Sequence, residues 1–264
     1  MNDFFKFIIL TSLFTLSILT LSWPNKNIVD IRNSSFSPQV LTIESAVNEQ
    51  TELIESVMLL IVMNTEGDFL SSGTGFSVKY DEKNDTTYVL TNYHVCLPVI
   101  NSDKYMVSKR SFDGNIILDP SVENPEHHLS YLFSEAENDL CLLSLDGKVS
   151  PVKFAKNKPK QMDKLMVIGA PSGVFPIITE TYLAGTTKRD LTVDDVSKDG
   201  NYLILSDVFF GGTSGAPVFD KSDKVVGILF SVIRRPSSDG KEYLTKGGLA
   251  IPTEDIMEFL KYKL

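Results

Sequence analysis

Short apolar runs rich in β-branched and aromatic residues constrain the fold of this 264-residue chain more than any other feature of its sequence. The first set of runs comprises residues 56–63, 73–80, 86–95 and 138–145. The second set comprises residues 164–171, 176–185, 201–210, 216–220, 224–233 and 243–252. Turn signals separate several of the runs, at residues 66–68, 81–85, 113–114 and 146–147. Two consecutive sets of short strands predict an all-β fold of two barrels.

A helix is predicted after the last run. Thr253 is a typical helix start, and Glu254 and Asp255 place negative charge in the first turn, where the helix dipole stabilises it. The expected domain therefore spans residues 53–264. Its expected parts are a first barrel at about 53–150, a second at about 151–252 and a helix at 253–264.

The first 24 residues form an apolar segment without charge after Lys6. The run lies between the ~7 to 15 residues of a cleaved signal core and the ~20 of a membrane-spanning helix. Trp23 and the lack of a small-residue cleavage triplet favour retention, with residues 4–23 as an inner-membrane anchor. A signal peptide and a buried N-terminal hydrophobic helix remain alternatives. Residues 25–52 are interpreted as a linker, and the domain is expected in the cell envelope or periplasm.

The charge of the chain restricts its partners. Twenty-five basic against thirty-four acidic residues give a net charge of −9, which repels phosphate backbones and argues against a nucleic-acid partner. Two cysteines without a paired CxxC pattern argue against structural zinc. No cofactor is implied, and the pattern leaves the oligomeric state open.

A serine among glycines, in the segment FGGTSGAP at 210–217, is the candidate nucleophile. Glycines permit positive φ and close substrate approach, so the backbone N–H groups of Gly212 and Ser214 could bind the oxygen of a tetrahedral intermediate. The alternative interpretation of this segment is a glycine-rich β-turn.

A nucleophilic serine needs a basic histidine and an orienting carboxylate. His94 is expected to close the strand VLTNYHV, whereas His127 and His128 lie in a polar stretch that predicts a surface loop. Asp139 precedes an apolar strand, where a buried carboxylate requires a hydrogen-bond partner such as an imidazole N–H. A structural histidine and a strand-terminating aspartate are the alternatives.

The order His94, Asp139, Ser214 is that of chymotrypsin-like enzymes and excludes the α/β-hydrolase order. The segments GTGFSV, TNYHVC, NDLCLL and GGTSGAPVF resemble the signature segments of trypsin-like peptidases, especially the protease domain of the bacterial HtrA class. That resemblance, over roughly residues 55–255, implies two six-stranded antiparallel barrels with the site between them. It also implies a serine endopeptidase that cleaves polypeptides through an acyl-enzyme.

The chain departs from its resemblance in two places. Thr213 stands where digestive trypsins carry an aspartate, so activation by a newly cut N-terminus is not expected. The sequence reaches Leu264 without the PDZ domain that HtrA-class proteins usually add.

The resemblance also implies a primary specificity pocket without a carboxylate, which predicts a preference for a small or apolar P1 side chain. The residues that it implies around the pocket are Val208, Phe209, Phe230, Ser231 and Val232.

Cys96 and Cys141 each follow a candidate catalytic residue by two positions. If His94 and Asp139 meet, the two thiols are neighbours, and a disulfide is allowed in an exported protein. Two buried free thiols are the alternative.

Three functional hypotheses are considered, one of which is a purely structural, membrane-anchored protein. Another is an active peptidase, and the third is a catalytically weak module that binds extended peptides. The complete set of three residues favours the peptidase.

Overall fold

A computed structural model describes the chain over residues 52–100, 102–110, 127–193, 196–236, 242–261 and 263–264. The predicted signal peptide or anchor at 1–24, nearly all of the predicted linker and the turn signal at 113–114 lie outside these residues. Within the described ranges, no helix combines the length and the apolarity needed to cross a membrane.

Six antiparallel strands form the first barrel. They are β1 (Val57–Met63), β2 (Phe69–Asp81), β3 (Thr86–Thr91), β4 (Tyr105–Lys109), β5 (His127–Glu135) and β6 (Leu140–Asp146). Hydrogen bonds join them in the order β1, β2, β3, β6, β5, β4, and the pairing of β4 with β1 closes the barrel. A helical turn at 52–55 precedes β1, and a short helix α1 (Tyr93–Cys96) follows β3.

The second barrel also closes with six antiparallel strands. They are β8 (Lys164–Gly169), β9 (Ile177–Val193), β10 (Val196–Leu205), β11 (Pro217–Phe219), β12 (Lys224–Pro236) and β13 (Glu242–Pro252). Their order is β11, β8, β9, β10, β13, β12, and the pairing of β11 with β12 closes the ring. The two-residue strand β7 (Lys153–Phe154) adds to β12 in parallel. The predicted fold of two six-stranded barrels is confirmed.

Strands β4 and β5 are absent from the sequence-based strand prediction. The pattern predicts a surface loop for His127 and His128, but they begin β5, and the His128 ring lies 5.4 Å from the ring of Tyr105. That prediction is wrong because several side chains of β5 face solvent. The strand therefore lacks the continuous apolar content that marks its neighbours.

Alternation along the strands sorts their side chains into different hydrophobic clusters. In β1, Met58, Leu60 and Val62 belong to a cluster formed by the first barrel alone, which we call the first-barrel core. A corresponding second-barrel core includes Leu205 and Val218. The intervening residues of β1 enter a third cluster, the shared core, to which both barrels contribute. Its members from the two barrels include Val57, Leu59, Ile61, Phe76, Ile168, Phe219, Ile228 and Phe230.

Helix α2 (Thr253–Lys261) begins at the predicted residue. The Thr253 hydroxyl donates to the Val225 carbonyl of β12 at 2.9 Å, which ties the helix start to the second barrel. Phe259 reaches the first barrel, where its ring centroid lies 5.6 Å from that of Phe133. The helix therefore contacts both barrels.

Candidate active site

The sequence pattern predicts that His94 lies at the end of a strand, but the structure places it on the short helix α1. Strand β3 ends at Thr91, and the extended backbone of Asn92 redirects the chain into the helical turn. The Asn92 carbonyl accepts a hydrogen bond from the Cys96 N–H at 3.3 Å. The strand prediction fails because a single helical turn is too short to show a helical period in the sequence.

His94 and Asp139 form a hydrogen-bonded pair. The imidazole Nδ1 lies 2.9 Å and 3.1 Å from the two Asp139 carboxylate oxygens, and the His94 backbone N–H donates to the same carboxylate at 3.1 Å. A carboxylate only accepts hydrogen bonds, so the neutral ring carries its proton on Nδ1 and keeps the Nε2 lone pair free. Asp139 is 1% exposed and His94 26% exposed, so the carboxylate is buried and part of the imidazole is accessible.

A backbone contact fixes the conformation of Asp139. Its φ is +53°, in the left-handed region that residues other than glycine rarely adopt. The fully buried Asn92 side chain donates from Nδ2 to the Asp139 carbonyl at 3.0 Å, and the Asp139 N–H donates to the Ala136 carbonyl at 3.2 Å. These contacts hold the turn that presents the carboxylate to His94.

Ser214 lies in the loop between β10 and β11. Gly212 and Gly215 have φ values of +93° and +87°, so the loop uses two glycines where the sequence predicts them. The Thr74 N–H donates to the Ser214 carbonyl at 2.8 Å. Within the described part of the chain, the half-buried Ser214 hydroxyl makes no hydrogen bond, and none joins it to His94.

The loop that carries Ser214, residues 206–216, packs against the end of β3, and we call it the nucleophile loop after its predicted role. A Cβ at Gly215 would lie 1.9 Å from the Thr74 carbonyl oxygen and 2.4 Å from the Thr91 hydroxyl. Thr91 also donates to that carbonyl at 2.7 Å, and α1 begins two residues after Thr91. Close backbone packing thus brings the loop of Ser214 beside the segment that carries His94.

The peptide joining Gly211 to Gly212 has a defined orientation. The Ser172 N–H donates to the Gly211 carbonyl at 2.7 Å. Because the carbonyl and N–H of a trans peptide point in opposite directions, the Gly212 N–H points away from Ser172. Among the described residues, the Gly212 N–H donates to no acceptor, as an oxyanion donor requires.

The Ser214 N–H is the second predicted oxyanion donor, and its peptide is also held by a hydrogen bond to the carbonyl oxygen. The Thr213 carbonyl accepts from the Ala216 N–H at 3.0 Å, so the Ser214 N–H on the same peptide points away from Ala216. It too has no acceptor in the described ranges. Thr213 closes the turn through both its N–H and its hydroxyl, which donate to the Phe210 carbonyl at 3.2 Å and 2.6 Å.

The five predicted pocket residues divide by burial. Phe209 and Phe230 are 2% and 3% exposed, and the Phe230 ring packs at a tilt of 42° against Tyr202, with 5.0 Å between ring centroids. Val208, Ser231 and Val232 are half-buried, so part of each side chain is accessible to a ligand.

A disulfide joins Cys96 to Cys141, with 2.07 Å between the sulfurs. Both side chains are fully buried in the first-barrel core. The bond connects α1, which carries His94, to β6, which follows Asp139.

Sequence reasoning does not identify the residues that support the site. Thr74, Thr91, Asn92 and Ser172 are ordinary polar residues in the sequence, and their partners are fixed only by the fold. The one signal available is that Thr74 stands between two glycines in GTGF.

The two closed barrels, with the hydrogen-bonded pair of His94 and Asp139 on the first and the glycine-bounded Ser214 on the second, define the chymotrypsin-like class of fold. The family described as "Trypsin-like peptidase domain" matches residues 73–228, more than half of the chain. The chain belongs to the trypsin-like peptidase domain family.

Curated relatives are HtrA-class proteins. A "Probable periplasmic serine endoprotease DegP-like" from Rickettsia conorii is 24% identical over 82% of this chain and 43% of that protein. The protein of the same description from Rickettsia prowazekii is 27% identical over 66% of this chain and 36% of the relative. A "Serine protease HtrA-like" from Staphylococcus aureus is 24% identical over 71% of this chain and 23% of that protein. The chain thus spans less than half the length of these relatives.

Solved structures share the fold. The "HtrA-type protease AlgW with tripeptide" matches with a TM-score of 0.61 and 19% identity, over 81% of this chain and 62% of that one. The active form of the Rv3671c protease from M. tuberculosis matches with a TM-score of 0.57 and 16% identity, over 85% and 90%.

Proposed function

We propose that this chain is a serine endopeptidase in which Ser214 is the nucleophile, His94 the general base and Asp139 the residue that orients His94. The observation that carries the proposal is the buried Asp139 carboxylate, bonded to both the imidazole Nδ1 and the backbone N–H of His94. A buried carboxylate is unfavourable unless it is hydrogen bonded, and this arrangement leaves Nε2 as the proton acceptor.

The reaction proceeds through an acyl-enzyme. His94 accepts the proton of the Ser214 hydroxyl as its oxygen attacks the scissile carbonyl, and the N–H groups of Gly212 and Ser214 bind the resulting oxyanion. His94 then donates the proton to the leaving amine, and water hydrolyses the ester by the same route. The free N–H groups of the nucleophile loop support this role.

The proposed substrate is a polypeptide with a small or apolar P1 side chain. Asp207 precedes Val208, the proposed base of the pocket, and accepts the Val208 N–H at 2.7 Å through Oδ1. None of the five proposed pocket residues carries a carboxylate, which supports a pocket without a counter-ion for lysine or arginine. A peptide library should therefore be cleaved after Ala, Val or similar residues, and predominant cleavage after Lys or Arg would contradict the proposal.

We place the domain in an oxidising, exported compartment. Two relatives are described as periplasmic, and the disulfide is typical of proteins outside the cytosol. A membrane tether through residues 4–23 belongs to the same proposal.

A fluorophosphonate probe, which reacts with activated serines, tests the proposed function in the full chain. Wild type should label, Ser214→Ala should not, and His94→Ala should label at least ~10³-fold more slowly because the base is gone. His128→Ala is the matched control, since His128 is exposed on β5 and should leave labelling unchanged. Folded wild type that does not label would favour the peptide-binding alternative.

A further inference from the structure

Thr74 links the two barrels at the nucleophile loop. It lies on β2 of the first barrel and is fully buried. Its hydroxyl donates to the Gly212 carbonyl at 2.8 Å and accepts from the Ala170 N–H at 3.0 Å, and both partners belong to the second barrel segment of the chain. Its own N–H donates to the Ser214 carbonyl at 2.8 Å.

These contacts bear on the conformation of Gly212. The peptide before Gly212 is held by the Ser172 N–H at the Gly211 carbonyl, and the peptide after it is held by the Thr74 hydroxyl at the Gly212 carbonyl. With both flanking peptide planes fixed, neither φ nor ψ of Gly212 can change freely. The positive φ of +93° and the direction of the Gly212 N–H are then set before a substrate arrives.

Steric contact alone explains why residue 212 is a glycine, but it does not fix the φ and ψ angles of that glycine. A Cβ there would lie 2.3 Å from the Ala170 carbonyl oxygen, so glycine is required, and glycine by itself has little conformational preference. A hydrogen bond from a neighbouring rigid strand supplies the missing constraint. Preorganised donors stabilise a developing oxyanion without reorganisation during the reaction.

We propose that the Thr74 hydroxyl is a positioning group that orients the oxyanion donor of Gly212 across the junction of the two barrels. The proposal rests on the proposed peptidase function. In this proposal, Thr74 contributes to stabilising the transition state and not to binding the substrate, because its hydroxyl acts through the Gly212 peptide. Loss of this hydroxyl should therefore lower the rate of the chemical step and leave ligand affinity nearly unchanged.

Thr87 offers a matched control in the same barrel. It is also fully buried, and its hydroxyl also donates to the carbonyl of a positive-φ glycine, Gly147, at 2.7 Å and accepts a backbone N–H, that of Val149, at 2.9 Å. Thr87 lies near the start of β3, whereas α1 and His94 follow the end of that strand. Its hydroxyl therefore has the same structural role without proximity to the site.

The experiment measures inactivation of the full chain by a fluorophosphonate probe at several concentrations, which separates the limiting rate, kinact, from the half-saturating concentration, KI. Thr74→Val should lower kinact by about 10-fold or more and change KI by less than about twofold, since losing one oxyanion donor outright lowers kcat by ~10² to 10³. Thr74→Ser should restore kinact, and Thr87→Val should leave it unchanged. Urea unfolding of all three variants records their stability.

A kinact for Thr74→Val within about twofold of wild type, or an equal fall in Thr87→Val, would overturn the proposal. Where Thr74→Val does not fold, the comparison of Thr74→Ala with Thr74→Ser replaces it. Wild type that folds without labelling would remove the proposed function itself, whereas labelled wild type with an unaffected Thr74→Val removes only the role of Thr74.

Discussion

At the scale of single residues, the site depends on where side chains are absent as much as on where they are present. Gly215 and Gly211 flank the proposed nucleophile, Ser214, and the proposed oxyanion donor, Gly212, yet their surroundings differ. A Cβ at Gly215 would lie 1.9 Å from the Thr74 carbonyl oxygen, and the φ of Gly215 is +87°. At Gly211, no atom of the described residues outside its chain neighbours lies within 4 Å of the corresponding position. The same substitution should therefore have opposite outcomes at these two glycines.

Gly215→Ala should destabilise the protein by about 2 kcal/mol or more and abolish probe labelling, because the new methyl group collides with rigid backbone. Gly211→Ala should unfold at nearly the wild-type urea concentration and remain labelled. Urea unfolding and probe labelling measured on both variants check this. Equal behaviour of the two variants would contradict the packing described for the nucleophile loop.

At the scale of elements, a disulfide connects the two segments that carry His94 and Asp139. Helix α1 is one turn long and cannot be stable by itself, since short isolated helices are marginal in water. The Cys96–Cys141 bond attaches it to β6, a central strand of the first barrel. The geometry of the histidine and aspartate pair therefore rests on a cross-link as well as on packing.

Mass spectrometry of the protein unfolded without reductant should recover one linked peptide containing Cys96 and Cys141 and no alkylated thiol. The chain has only these two cysteines, so no other thiol or disulfide within it can contribute to the signal. The Cys96→Ala and Cys141→Ala double variant should lose about 3 to 4 kcal/mol in urea unfolding, as expected for a loop of 45 residues. Two alkylated thiols in the air-oxidised protein, after unfolding without reductant, would contradict the prediction.

At the scale of the whole molecule, the shared core joins the two barrels through apolar contacts. Residues of both barrels and of helix α2 contribute to it, whereas the first-barrel and second-barrel cores are separate clusters. Most apolar contacts between the barrels would be lost if either unfolded alone. The two barrels should therefore unfold together.

Leu143→Ala in the first-barrel core and Leu205→Ala in the second should each destabilise both barrels. Both leucines are at most 1% exposed, so each substitution should cost about 2 to 5 kcal/mol. Hydrogen exchange followed by mass spectrometry, at increasing urea, should show the same midpoint shift for peptides from either barrel. Leu132→Ala, at a side chain 44% exposed, is the control. Separate midpoints for the two barrels would disprove cooperative unfolding.

The sequence by itself determined the strand content and the candidate chemistry of this protein. Apolar runs and turn residues predict ten of the thirteen strands in the described residues, because period-two burial and turn chemistry are local properties. The candidate residues His94, Asp139 and Ser214 follow from residue type, chain order and family resemblance. Strand β5 and helix α1 escape prediction, because one has an exposed face and the other is a single turn.

Only the tertiary structure decided which residues support that chemistry. The Thr74 hydroxyl forms hydrogen bonds with Ala170 and Gly212, which are 96 and 138 positions away in the sequence. The Asn92 side chain donates to the Asp139 carbonyl, which is 47 positions away. Hydrogen bonds of this kind leave no periodic or compositional trace, since threonine and asparagine are common on strands and at turns. Their role arises because closing two barrels brings buried polar groups together, where each must find a partner.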